Sequence, residues 1–279
     1  MGYNLEHRFS DNWRVRNAFR YTKRNILDVG AIPLQVDETT GILSRGFNQQ
    51  ARDPQDFALQ TNVGGEFATG SVEHTLLFGI DLNRSEETDT TLFSDFADLQ
   101  PLNIFDPVYG TFDDVNIETL QTFRDRDFQA DRLGIYLQDR IDILDNLILL
   151  AGVRYDTVEQ TVNVRPDAFN PTAFEVEQTD DAWIPRAGVV YQPIPEISLF
   201  GSYSQSFVPN NIANDASGDL FEPEEGEGFE FGIKGELLEG KAIATLAYFN
   251  ITKQNVVTSN PSIPMASIAT GEQQSQVEF

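Results

Sequence analysis

Residues 229–250 read FEFGIKGELLEGKAIATLAYFN: apolar side chains alternate with polar or small ones, the chain turns at Glu239-Gly240, and the alternation resumes. An extended chain points successive side chains to opposite faces, so each arm is a strand with one apolar face. Such a face has to be covered. Whether protein or lipid covers it decides the fold.

Composition narrows the choice. The 279 residues carry a formal net charge of −25, yet 40% are hydrophobic and 11% aromatic, which sets the chain apart from disordered ones. With no cysteine, structural disulfides and thiolate metal sites are excluded. Nucleic acid is not an expected partner, because a phosphate-binding surface needs a basic stripe. The acidic surplus lies mostly between the strands and reads as solvated loop. No segment approaches the ~18 to 20 consecutive apolar residues of a membrane helix, a test that alternating barrel strands escape. Met1 is followed at once by GYNLEHRF, without the basic and apolar regions of a signal peptide. The expectation is a chain that is either not exported or a piece of a longer one.

The same rhythm runs through the rest of the chain. Strands are expected at 2–9 and 13–24 around Ser10-Asp11-Asn12, and at 56–67 and 72–84 around ATGS. Further strands follow at 128–142 and 147–159 around LDN, then at 182–192 and 197–207 around PIPE. The opening hairpin completes ten strands, and QSQVEF at the end starts an eleventh. Long segments at 25–55, 85–127, 160–181 and 208–225 alternate with the short turns and read as loops. Strands of about 10 to 14 residues exceed the usual soluble length of about 5 or 6 and suit a tilted passage through a bilayer. No helical periodicity of useful length appears, so the fold class is all-β.

Aromatic residues mark both strand ends. Phe9, Trp13, Phe67 and Tyr191 lie beside the short turns, and Tyr21, Phe57, Tyr155, Trp183 and Tyr203 toward the long loops. From Trp13 to Tyr21 is eight residues on one face, as it is from Trp183 to Tyr191. At ~3.3 Å per residue and a tilt near ~40° that spans about 20 Å, close to the apolar band of an outer-membrane barrel. A soluble sandwich has no reason to place rings at both strand ends. The apolar face is expected to meet lipid.

Four stretches carry a resemblance: PLNIFDPVYG (101–110), LGIYLQDRIDILDNLILLAGVRYDTV (133–158), LFGSYSQSFVPN (199–210) and FEPEEGEGFEFGIKGELLEGKAIATLAYFNITKQNVV (221–257). In this order they resemble TonB-dependent siderophore receptors, nearest in character to the ferrichrome-type hydroxamate branch. The resemblance implies a transmembrane antiparallel β-barrel of the 22-stranded type, about half of it present, with residues 1–279 forming a partial barrel domain. The family's signal sequence, TonB box, plug domain and final strands have no match here. It further implies uptake of a ferric siderophore across the outer membrane, energised by the TonB-ExbB-ExbD system through a plug. Iron would be carried as substrate, with no resident cofactor and no enzymatic activity.

Candidate functional residues follow from these readings. The resemblance assigns a pocket aromatic to the loop after LLFGIDLNR; Phe93 is the best match, with Phe96 and Tyr109 beside it in the same aromatic-rich loop. The competing reading of Phe93 is loop packing. Arg132, Arg154 and Arg186, with Arg14, Arg16, Arg20, Arg140 and Glu230, fall on the polar face that would line the interior and meet a plug or lumen water. No catalytic or metal site is expected: His7 and His74 fall on the apolar face, and no Ser–His spacing stands out. The carboxylates Asp95, Asp98, Asp106, Asp113 and Asp114 lack EF-hand spacing and read as a solvated loop rather than a calcium site. Alternatives from other classes are a passive porin-like or adhesin barrel and a soluble β-rich binding module.

Overall fold

The computed structural model describes residues 1–94, 100–109, 117–210, 220–237, 241–262, 267–271 and 273–277. Its strands are β1 (Gly2–Arg8), β2 (Trp13–Lys23), β3 (Ile26–Asp37), β4 (Ile42–Arg52), β5 (Gln55–Thr69), β6 (Val72–Phe93), β7 (Leu102–Asn103) and β8 (Gln121–Leu144). They continue as β9 (Leu147–Val164), β10 (Phe174–Ile194), β11 (Ile197–Val208), β12 (Glu224–Leu237), β13 (Ala242–Gln254), β14 (Val257–Ser259), β15 (Ser267–Ala269) and β16 (Gln273–Val277). A 3-10 turn at Ile117–Thr119 is the helical element among the described residues.

The main sheet runs β1-β2-β5-β6-β8-β9-β10-β11-β12-β13-β16, a meander in which each strand pairs antiparallel with the next. The ten expected strands and the start of the eleventh are the members of this order. β1 and β16 stand at its two ends.

Register separates two faces. One row of directly paired residues reads Val15, Val63, Phe78, Leu137, Val153, Pro185. The row beside it reads Arg16, Asn62, Gly79, Tyr136, Arg154, Ile184. The first belongs to an apolar face, the second to a polar one. Large side chains on the apolar face are bare: Phe231 is 59% exposed and Trp183 66%. A soluble sandwich would cover them, so the soluble reading fails here.

Both aromatic belts are present as cross-strand ring pairs. Tyr21–Phe57, Tyr155–Trp183 and Tyr203–Phe229 stand 4.6, 4.9 and 4.8 Å apart toward the long-loop end, and Trp13–Phe67 stack at 6.5 Å beside the short turns. Offset contacts of this kind add to the area they bury.

Two expectations about loops are corrected. Residues 25–55 are not a loop but the β3–β4 hairpin, whose β4 end pairs with β6 where β5 stops. Pro33 and a register shift between Pro33 and Gln35 interrupt its alternation, which is why the pattern does not announce it. The segments 85–127 and 160–181 are shorter than expected, because β6 runs on to Phe93, β8 begins at Gln121, β9 reaches Val164 and β10 begins at Phe174. In these extensions the alternation changes phase. Below them, Leu149, Val153 and Tyr155 of β9 sit on the apolar face. Above, that face carries Glu159, Thr161 and Asn163, and the opposite face buries Val158, Val162 and Val164. Val162, Val164, Val176 and Leu220 form a small core with Phe128 packed against it.

Candidate functional site

The polar face is built so that its charges are fixed by the strands around them. Arg154 of β9 donates to Asp81 of β6 at 2.6 Å and to both oxygens of Asp156 at 2.8 Å. Its guanidinium lies 5.4 Å from the Tyr136 ring centroid. The space for it comes from Gly134, where an added Cβ would overlap the Arg154 and Asp156 side chains. One cation is thus shared between two carboxylates, a geometry that favours arginine over lysine. The second Asp81 oxygen is buried without a hydrogen-bond partner among the described residues.

Arg132 and Arg186 differ from Arg154. Neither meets a carboxylate among the described residues. Arg186 lies along the sheet over Gly152, whose added Cβ would stand 3.1 Å from Nε. Arg132 borders a cavity of about 200 Å³ together with Asp81, Asn83, Arg154 and Phe207. Arg14, Arg16, Arg20, Arg140 and Glu230 share this face by register, as the sequence implied. The three named arginines therefore lie on one surface, spread over β8, β9 and β10, with one of them neutralised in place.

Of the expected pocket aromatics, Phe93 and Tyr109 are among the described residues. Phe93 ends β6 and packs 5.5 Å from Phe123, which contacts Phe169 at 4.9 Å. Its ring also covers Gly46 of β4, where an added Cβ would come within 2.7 Å. These contacts give Phe93 a packing role, which a contact with substrate would add to rather than replace. Tyr109 stands 78% exposed. Phe96 lies outside the described residues, as do Asp95, Asp98, Asp113 and Asp114; Asp106 is exposed. The PLNIFDP motif is anchored: Leu102 and Asn103 pair with Leu43 and Ile42 of β4, and Arg45 donates to the Gln100 carbonyl at 3.0 Å.

Beyond the apolar belt the sheet carries ion pairs. Arg84 meets Asp131 through two hydrogen bonds of 2.6 and 2.7 Å. Farther out, Arg165 holds Asp125 and Asp127, each at 2.5 Å. This neighbour, aided by Thr90, keeps the Asp125 carboxyl below the usual carboxylate range. On the β3–β4 hairpin the Thr40 side chain and the backbone N–H groups of Thr39 and Thr40 do the same for Asp37.

One pair escaped the sequence reading. His74 does lie on the apolar face, opposite Phe67, but its Nδ1 stands 2.7 Å from Asp139 Oδ2. Asp139 is on the same face, directly across from Leu76 and Ala151. The signal was available, since Asp139 interrupts the apolar set Leu133, Ile135, Leu137 and Ile141.

Comparisons with known proteins bear on this arrangement. Residues 1–276 match the family model described as TonB dependent receptor-like, beta-barrel. The chain is 34% identical over 98% of its length to the metal-pseudopaline receptor CntO of Pseudomonas aeruginosa, covering 38% of that protein. To the ferrioxamine B receptor of Salmonella typhimurium it is 30% identical over 96% of its length, covering 36% of that protein. Its fold superposes on the siderophore receptor PiuA of Acinetobacter baumannii with a TM-score of 0.82, over 99% of this chain and 42% of that one, at 23% identity. The chain spans well under half the length of these relatives.

Proposed function

Because this chain belongs to the TonB-dependent receptor β-barrel family, we propose that it forms part of an outer-membrane receptor that takes up a ferric or related metal–siderophore complex. The apolar face meets lipid and the polar face lines the interior. Residues 1–279 are the barrel-wall part of that receptor. Energy comes from the TonB-ExbB-ExbD system acting through a plug domain. The iron travels as substrate, chelated throughout.

The observation that supports this reading best is the distribution of charge on the inner wall. Arg154 is matched within the sheet by Asp81 and Asp156, whereas Arg132 and Arg186 are left for something else to match. A passive pore leaves such groups to lumen water; a receptor sets them against a domain within the barrel. Arg132 and Arg186 are exposed on this wall; a domain packed against them would bury their charge, and a buried charge needs a partner. Arg132 and Arg186 would face acidic or polar groups of the plug. Phe93 and Tyr109 would serve at the outer end, where the siderophore arrives, with Phe96 assigned to it by the resemblance alone.

The test is uptake by the complete receptor containing this chain in cells lacking their own siderophore receptors. Uptake of a radiolabelled ferric siderophore that disappears when TonB is deleted supports the reading. Uptake that persists without TonB would instead make the protein a passive pore.

A further inference from the structure

A strand inside a sheet has a neighbour on each edge, and β10 has two neighbours for only part of its length. From Arg186 to Ile194 it lies between β9 and β11, but from Phe174 to Pro185 it pairs with β9 alone. Past Ser204, β11 pairs only with β12. The register shows which backbone groups are left over. Gln192 N–H donates to the Asn146 carbonyl at 2.8 Å, and the β9–β10 register carries that step unshifted to Phe174. Bonded and non-bonded pairs alternate along an antiparallel ladder, so the even-numbered residues of β10 bond β9. The N–H and C=O groups of Glu175, Glu177, Thr179, Asp181 and Trp183 point the other way. They meet no backbone partner among the described residues.

The side chains of these five residues share one face of the strand, and it is acidic. Glu175, Glu177 and Asp181 are exposed and form no ion pair among the described residues. No Lys or Arg occurs between Arg165 and Arg186. Where β11 parts from β10 the wall holds a cavity of about 220 Å³, bordered by Asp181, Trp183, Phe207, Glu225 and Glu227 and by no cation. Glu225, Glu227 and the Trp183 ring are also exposed. Trp183 belongs to the long-loop aromatic belt, so the free edge runs outward from the membrane surface into water. Open backbone groups in a two-residue rhythm are a template for another strand. Carboxylates without cations, beside an open indole, suit lysine or arginine on that strand.

We propose that the free edge of β10 binds an extended, basic segment of an extracellular protein, which adds to the sheet as a strand beside residues 175–183. Asp181, Glu225 and Glu227 take up its cationic side chains. The inference rests on the apolar face meeting lipid, which puts this edge outside the membrane, and on no feature of transport. The occupant is a polypeptide because a lipid headgroup has no repeating donors and acceptors to match the edge. It is not a second copy of this edge, whose own carboxylates would repel it.

The experiment uses the complete receptor containing this chain, in nanodiscs of phosphatidylcholine, which carries no net charge. The probe is a short fluorescent peptide of alternating lysine and threonine, read by anisotropy, with a glutamate–threonine peptide as control. The basic peptide should bind, and amide exchange at the five edge residues should slow when it does. Thr179→Pro deletes an edge N–H and leaves the bonds to β9 in place. It should weaken binding about tenfold, the effect of losing one hydrogen bond. Thr179→Val keeps the N–H and should bind as wild type does. The triple variant Asp181→Asn/Glu225→Gln/Glu227→Gln should bind more weakly and with a flatter dependence on salt. Equal binding by wild type and Thr179→Pro overturns the proposal, as does unchanged binding by the triple variant. An acidic peptide that binds as tightly is equally fatal. So is edge exchange that is already slow before peptide is added, because the receptor's own chain then fills the site. TonB-dependent uptake, measured without peptide, should be the same in every variant, so failure of this site and failure of the transport reading give different results.

Discussion

Phe93 has two possible employers, and one substitution tells them apart. Its ring lies against Phe123 and over Gly46, so it holds β4, β6 and β8 together where the barrel wall extends outward. In the complete receptor Phe93→Ala should assemble. If the ring also contacts substrate, siderophore affinity should fall by ~1 to 3 kcal/mol, the worth of a large apolar side chain. Unchanged affinity with greater protease sensitivity of the outer segments would leave Phe93 with packing alone. Asp125 offers a second residue-level test, outside the membrane. Its folded carboxyl titrates below the unfolded value of about 3.9 because Arg165 donates to it. A lowered folded value contributes stability that is present above the unfolded pKa and lost as pH falls through the folded one. Limited proteolysis of the outer extension should therefore accelerate below about pH 4. Arg165→Gln should be weaker at neutral pH and show a shallower acid limb. An acid limb as steep as wild type would remove the Arg165–Asp125 pair from the account.

At the scale of the strand, the claim is that neighbouring residues face different media. Ile80→Arg places a cation on the apolar face near the midplane and should cost ~2 to 4 kcal/mol, abolishing assembly, whereas Val15→Arg and Leu199→Arg, beside the short-turn belt, should cost about 1 kcal/mol or less. Asn62→Arg and Ser202→Arg change the polar face and should assemble normally, by heat-modifiable migration in gels. If Ile80→Arg assembles as these two do, the faces have been misassigned. The same alternation explains what the sequence disclosed. Phe78, Ile80 and Leu82 are legible because a single period-two signal runs through them. The outer ends of β8, β9 and β10 were missed because the medium changes along the strand. Past Thr157 the outward side meets water and the inward side meets Leu220 and its neighbours, so the apolar set moves to the other face. A reader following one face sees the strand end. The β3–β4 hairpin was hidden differently, by Pro33 and the register shift beside it. Of the candidate site, the arginine face could be read by parity alone. The pairing of Arg154 with Asp81 could not, because it joins strands that register alone brings together. Asp139 stood in plain view as a charge in an apolar row, but its partner His74 lies on another strand.

For the whole molecule, closure is what the membrane demands. The sheet order begins at β1 and ends at β16, and an edge left in hydrocarbon carries backbone groups that cost several kcal/mol each to leave unsatisfied. Residues 1–279 expressed alone should therefore collect in inclusion bodies and refold poorly in detergent. A heat-modifiable, protease-resistant monomer would contradict that expectation. Assembly of the complete receptor should rescue the same strands. The central claim, that the apolar face of this sheet meets lipid while the polar face lines an interior, is tested most directly by nitroxide scanning along β6 in bilayers. Labels are placed one at a time from position 75 to 82 in the complete receptor, and their collision rates with oxygen are measured. The account predicts high rates at Leu76, Phe78, Ile80 and Leu82 and low rates at Thr75, Leu77, Gly79 and Asp81. Rates without this two-residue period, or with the opposite phase, would contradict it.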